Sequence, residues 1–268
     1  MGALVALPER GVLEVGGEDR VGFLQGLVSN DVTQAAPGRA IFAALLTPQG
    51  RWLADFLIFA ADGRLLLDVA RTQLPDLRAR LERYRLRAKV TLTDRSEDWH
   101  VHAAWGEPAP SLPEGVIAAP DPRHPALGLR ILSPVPLTPT APREAWEEHR
   151  LALGVPDGAV DLEAGETLLL EARYDELNAI SWDKGCYMGQ EVTARTRYRG
   201  LVKRRLVPVR LAGEGALPAF GTKVADGTGA VVGALRSVAG PFGLALLRHP
   251  LDFTPPLRAG EREIIPQL

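Results

Sequence analysis

Ser181–Gly200, "SWDKGCYMGQEVTARTRYRG", holds the only cysteine of the chain, Cys186, between Gly185 and Gly189, with Lys184 just before it. From "MGQEVTARTRY" onward the stretch reads as a helix, which places Cys186 ahead of a positively polarised N-terminus. A helix N-terminus and a nearby ammonium both favour thiolate over thiol. The two glycines would let the backbone turn sharply and expose the sulfur, and Glu191 and Arg195 are spaced for an ion pair along the helix. An unpaired cysteine is ordinarily a small buried residue, but polar and glycine-rich surroundings make burial awkward here. Both a buried thiol and a working thiol stay open. A single cysteine excludes an internal disulfide and any Cys-x-x-Cys pair.

Downstream, Arg195, Arg197, Arg199, Lys203, Arg204, Arg205 and Arg210 follow one another with no acid between them, although the formal net charge is only −2. Guanidinium forks pair bidentately with phosphate and carboxylate. Arg197, Arg199, Lys203, Arg204 and Arg205 therefore read as candidate anion ligands, with a solvated surface as the alternative. Tyr198 is the only aromatic residue among them, too little for a base-stacking platform. RNA contact is thus one reading among several anionic partners.

Past Gly200 the texture becomes short β-rich runs, "RRLVPVRL", "TKVAD", "AVVGALRSV" and "GLALLR", separated by glycine turns. Residues 201–268 read as a small all-β domain, a barrel or a sandwich. Upstream lie the acidic "DGAVDLEAGETLLLEARYDEL" and a helix, "PREAWEEHRLALG", which Pro142 opens and Gly154 stops. Between 99 and 135, "WHVHAAW" and "LGLRIL" look like strands separated by Pro-rich loops. His100 and His102 share a strand face, but no acid or cysteine nearby completes a metal site, so none is assigned.

The first ninety residues alternate more legibly. "GVLEVGG" is a strand. "EDRVGFLQGLVSND" is a helix with Asp19 as cap and Val21, Leu24, Leu27 and Val28 on one face. "AIFAALLT", "WLADFLIFA" and "RLLLDVA" are strands joined by tight turns. A further helix puts Leu74, Leu77, Leu81 and Tyr84 on one side, and "KVTLTD" is another strand. Helices among antiparallel hairpins indicate an α+β fold.

The 268 residues suffice for two or three small domains, with ordinary globular composition. There is no P-loop, no Gly-x-Gly-x-x-Gly after a strand, no His-Glu-x-x-His and no Gly-x-Ser-x-Gly elbow. The apolar patch in "MGALVALPER" is far too short for a signal-peptide core, and no stretch approaches a membrane span. A cytoplasmic protein with no membrane role is expected.

"KGCYMGQE", Lys184 to Glu191, followed by "RTRYRGLVKRRL", closely resembles the signature of the YgfZ family, folate-binding relatives of the glycine-cleavage T-protein. "VGFLQGLVSNDV", "LTPQGRWLADFLIF" and "RLALGVPDG" agree with it, so the resemblance spans nearly the whole chain. It implies two α+β, ferredoxin-like domains around a central opening plus a C-terminal all-β barrel. The first domain is interrupted, residues 1–20 and 99–199; the second is 21–98 and the barrel 200–268.

The resemblance further implies a tetrahydrofolate-binding accessory protein, or one for a folate derivative, that supports iron–sulfur enzymes, tRNA-modifying ones included. Its partners would be those enzymes or cluster-assembly proteins, and Cys186 its functional thiol. Glu171 falls where T-protein-like sequences place the glutamate that holds the pterin ring, and Lys184, Tyr187, Gln190, Glu191 and Arg195 join it as folate contacts. T-proteins carry paired acids where this chain has Ala54 and Asp55. Neighbouring strand residues face opposite sides, so Asp55 cannot simply replace the missing acid. It is nevertheless the catalytic candidate if the chain is a one-carbon transferase instead.

Overall fold

In a computed structural model that describes residues 2–267, the chain forms two sheets and a barrel. β1 (Ala3–Ala6), β2 (Arg10–Gly16) and helix α1 (Arg20–Gln25) lead to strands β3 (Ile41–Leu46), β4 (Trp52–Ala61) and β5 (Arg64–Ala70). Helix α2 (Leu74–Arg85) and β6 (Thr91–Asp94) follow. Then come β7 (His100–Trp105), β8 (Ile117–Pro120), β9 (Leu129–Ser133), α3 (Arg143–Ala152) and α4 (Gly158–Asp161). An irregular stretch precedes α5 (Gln190–Arg199). The last strands are β10 (Arg204–Leu211), β11 (Lys223–Ala225), β12 (Val231–Ala239), β13 (Phe242–Arg248), β14 (Leu257–Ala259) and β15 (Arg262–Pro266).

The α+β reading holds, and the last six strands close on themselves in the order β10-β13-β12-β11-β14-β15, a barrel and not a sandwich. The five-stranded sheet runs β3-β4-β5-β2-β6 and the four-stranded sheet β1-β7-β9-β8. Strand alternation assigns the faces. Phe56 and Ile58 of β4 pack with Leu24 of α1 and with Leu74, Leu77 and Leu81 of α2. Leu57 and Phe59 point the other way, into a core shared with Val5, Val101 and Leu132 of the second sheet. A register shift at Leu45 and Leu46 brings Trp52 to that same side. Each such side chain contributes about 1.5–3 kcal/mol through burial.

Charged residues also join the sheets. Asp68 on β5 accepts from Arg10 Nε at 2.6 Å and Arg130 Nη1 at 3.1 Å. Asp121 accepts from Arg123 at 2.9 and 2.7 Å and from Arg130 Nη2 at 3.4 Å. All five side chains are buried.

Several sequence expectations change. β2 belongs to the five-stranded sheet, so a domain boundary at residue 20 falls after one of that sheet's own strands; Met1 and Leu268 lie outside the described residues. β1 and β8 carry too little alternation to be read alone and are defined by pairing with β7 and β9. Asp19 stands at the N-cap position of α1 as expected, but its side chain makes no cap hydrogen bond; the carboxylate accepts instead from the Lys89 backbone N–H at 2.7 Å. Tyr84 is 41% exposed, one turn past the last buried leucine of α2. His102 is buried and fully bonded, to the His100 carbonyl and the Leu137 N–H, so it is no ligand partner for exposed His100.

Candidate functional site: an exposed cysteine on an anchored loop

Cys186 is exposed on the loop that enters α5. The loop is fixed on both sides of the sulfur. Before it, Lys184 Nζ donates to the carbonyls of Val28 at 2.8 Å and Asn30 at 2.7 Å, with its charge 5.3 Å from the Tyr187 ring centre. After it, the Met188 N–H donates to Gly26 O at 3.2 Å and the Tyr187 N–H to Gln190 Oε1 at 2.9 Å. Gly189 and Gly50 take φ of +80° and +74° and lie against each other: a Cβ on Gly189 would sit 2.6 Å from Thr47 O, and one on Gly50 2.8 Å from Val192 Cβ. That contact seats the start of α5 on the β3–β4 turn.

Lys184 therefore spends its ammonium on backbone carbonyls, not on the sulfur, because the end of the α1 region leaves those acceptors unpaired. Burial pushes its pKa down to about 8. The expected Glu191–Arg195 ion pair is not formed among the described residues; both side chains are exposed. Gly185 has open space around its Cβ position and no positive φ, so only Gly189 is needed as glycine. Tyr187 is buried, which raises its hydroxyl to about 12.

Sequence reading missed the residues that receive this loop. Ser29 Oγ donates to Ala179 O at 2.6 Å, and Asn30 Nδ2 donates to Phe42 O and Asn178 O, both at 2.8 Å. Three polar residues, Ser29-Asn30-Asp31, closing an apolar helix were the available signal.

Glu171 is buried, 5% exposed, and not on a solvent-facing loop. Its carboxylate accepts from the Leu168 N–H and from Arg204 Nε and Nη2, each at 3.3 Å. These bonds are long, and the Arg204 side chain is half exposed. A ligand edge with paired N–H donors can replace that guanidinium.

Asp55 faces the seam between the sheets. Its Oδ2 accepts from the Tyr174 hydroxyl at 2.6 Å and Trp52 Nε1 at 3.2 Å, and a Cβ at Gly158 would lie 1.7 Å away. Burial raises its pKa more than Tyr174 and Arg10 lower it. Ala54 lies in the core on the opposite face, so the two positions are not interchangeable. Among the described residues no hydrogen bond joins the Cys186 loop to Glu171 or Asp55.

The basic run does not form one cradle. Arg204 is on Glu171, and Arg205 pairs with Asp175 and Glu176 and donates to Leu170 O at 2.8 Å. Arg197 stacks on Trp182 at 3.9 Å. Arg195, Arg199 and Lys203 are exposed.

Two sheets and a closed C-terminal barrel define a T-protein-like scaffold, on which the loop presents one thiol. Residues 4–121 match the GCVT N-terminal domain, and 203–268 match the CAF17 C-terminal beta-barrel domain. A solved glycine cleavage system aminomethyltransferase T from Bartonella henselae superposes with a TM-score of 0.78 at 16% identity, over 99% of this chain and 84% of that one.

The chain belongs to the family of the iron–sulfur cluster assembly factor IBA57. It is 35% identical to the mitochondrial protein of Homo sapiens over 91% of this chain and 77% of that one. The Mycosarcoma maydis and Neurospora crassa homologues are 39% and 33% identical over 77% and 84% of this chain. The chain spans a little over half the length of these two, 56% and 57%. The cytoplasmic expectation is overturned by these relatives, whose names are mitochondrial. It rested on the lack of a signal-peptide core and of a membrane-spanning stretch, and neither absence reports a compartment.

Proposed function

We propose that this chain is a YgfZ-like, tetrahydrofolate-binding accessory factor for the assembly or repair of iron–sulfur clusters, with Cys186 as its working thiol. The observation that carries this reading is the exposed Cys186 on a loop held by Lys184 and Gly189, in a chain whose relatives are named iron–sulfur cluster assembly factors. One thiolate cannot complete a cluster site, so the remaining ligands come from a partner protein or a small thiol. The cluster is cargo, and its acceptors are iron–sulfur enzymes, tRNA-modifying ones among them.

Folate would be held through Glu171, whose displaceable partner is Arg204, with exposed Glu191 and Arg195 as further candidate contacts. Bound tetrahydrofolate supplies a one-carbon carrier. The enclosure of Asp55 by Tyr174, Trp52 and Gly158 weighs against aminomethyl transfer, since that carboxyl has no open approach. The internal pairing of Arg204 and Arg205 weighs against an RNA cradle built on them.

Calorimetric titration with tetrahydrofolate tests the ligand. Binding by the wild type and Cys186→Ala, lost in Glu171→Ala, is expected; retention in Glu171→Ala or no binding at all contradicts it.

A further inference from the structure

At the end of α2 the chain adopts a conformation that no packing explains. Leu86 has φ 44° and ψ −107°, a region that glycine occupies readily and a leucine only under strain. Its side chain is 89% exposed, so the strain secures no core contact. Leu86 is the fourth of five consecutive exposed residues, Arg83 to Arg87, with Tyr84 as a second exposed apolar side chain.

Charge around the leucine is unbalanced. Arg80 pairs with Asp76, Arg85 with Glu82 and Lys89 with Glu18, but Arg83 and Arg87 have no acid partner among the described residues. A shallow hollow of about 530 Å³ lies alongside, lined in part by Arg85, Arg87 and Lys89.

We propose that this end of α2 is a peripheral docking site for an anionic phospholipid surface. Leu86 inserts, Tyr84 lies at headgroup level, and Arg83 and Arg87 meet the lipid phosphates. A protein partner would be held by a deep groove or a broad apolar patch, whereas here the hollow is shallow, and one strained leucine and one tyrosine are exposed beside Arg83 and Arg87, which lack an acid partner among the described residues. A bilayer accepts single inserted side chains, and its anionic headgroups complement the two unpaired arginines. No helix of the described residues is long and apolar enough to cross a membrane, so the contact is peripheral and sensitive to salt. Bulk composition gave no hint of it, because five residues do not register in an average.

The test is sedimentation of the full chain with vesicles of equal parts phosphatidylcholine and phosphatidylglycerol, beside phosphatidylcholine alone, at low salt. The anionic vesicles are expected to bind about tenfold more protein. Leu86→Asp, and separately Arg83→Glu with Arg87→Glu, remove that preference. Leu86→Gly unfolds at a higher temperature than the wild type because the strain is gone, yet binds vesicles less. Equal partition onto both vesicles, or full binding by Leu86→Asp, overturns the proposal. Binding of poly(U) RNA that depends on the two arginines, without vesicle binding, also overturns it and assigns the patch to nucleic acid.

Discussion

The Tyr174 hydroxyl donates to Asp55 Oδ2 at 2.6 Å, tying the irregular stretch before α5 to the middle of β4. Burial raises the Asp55 pKa above its ordinary value, so the folded chain holds this proton more tightly than the unfolded one. The resulting stability is fully present below about pH 3.9 and is lost as pH rises through the folded value. Asp55→Asn should remove that pH-dependent loss, seen as a flatter profile of urea midpoint against pH. Tyr174→Phe leaves the carboxyl with one long bond and should cost about 1–3 kcal/mol.

Asp121 behaves in the opposite sense. Burial pushes its carboxyl up, but Arg123 and Arg130 outweigh that and hold it at about 2. Its contribution is present above about pH 3.9 and lost as pH falls toward 2. Asp121→Asn leaves two buried guanidinium groups short of a counter-charge and should cost about 3–5 kcal/mol at neutral pH. Denaturant unfolding at neutral pH and near pH 3 would show the variant's deficit shrinking in acid.

Lys184 holds the cysteine loop by two charge-assisted bonds to the Val28 and Asn30 carbonyls. Lys184→Met should lower stability by about 1.5–3 kcal/mol. In hydrogen exchange, the Met188 amide should lose protection while the barrel amides keep theirs.

The three glycines near the loop are not equivalent. Gly50→Ala and Gly189→Ala each meet backbone or a Cβ within 3 Å at positive φ, and each should cost about 1–3 kcal/mol. Gly185→Ala enters open space and should stay within about 0.5 kcal/mol of the wild type. Thermal unfolding of the three variants side by side checks the ranking.

Strand alternation made β4 legible in detail: Ala54 and Asp55 were assigned to opposite faces, and they occupy them. What local pattern cannot carry is a partner distant in sequence. The stretch from Glu163 to Leu177 reads as an acidic segment, yet Leu169, Leu170, Tyr174 and Leu177 are core residues. Four of its acids, Glu163, Glu171, Asp175 and Glu176, are met by Arg204, Arg205 and Arg236 from the barrel. The same pairing removes two arginines from the anion cradle that spacing alone suggested. Lys184 was placed beside the thiol by proximity in sequence, and the carbonyls that claim its charge lie more than 150 residues earlier.

In the proposed function Cys186 has a task separate from folate binding. The most direct measurement is recovery of iron–sulfur enzyme activity in cells lacking their own copy of this factor, supplied with the wild type or with Cys186→Ser that still binds tetrahydrofolate. The wild type should restore activity and Cys186→Ser should not. Full recovery with Cys186→Ser would contradict the assignment of the thiol.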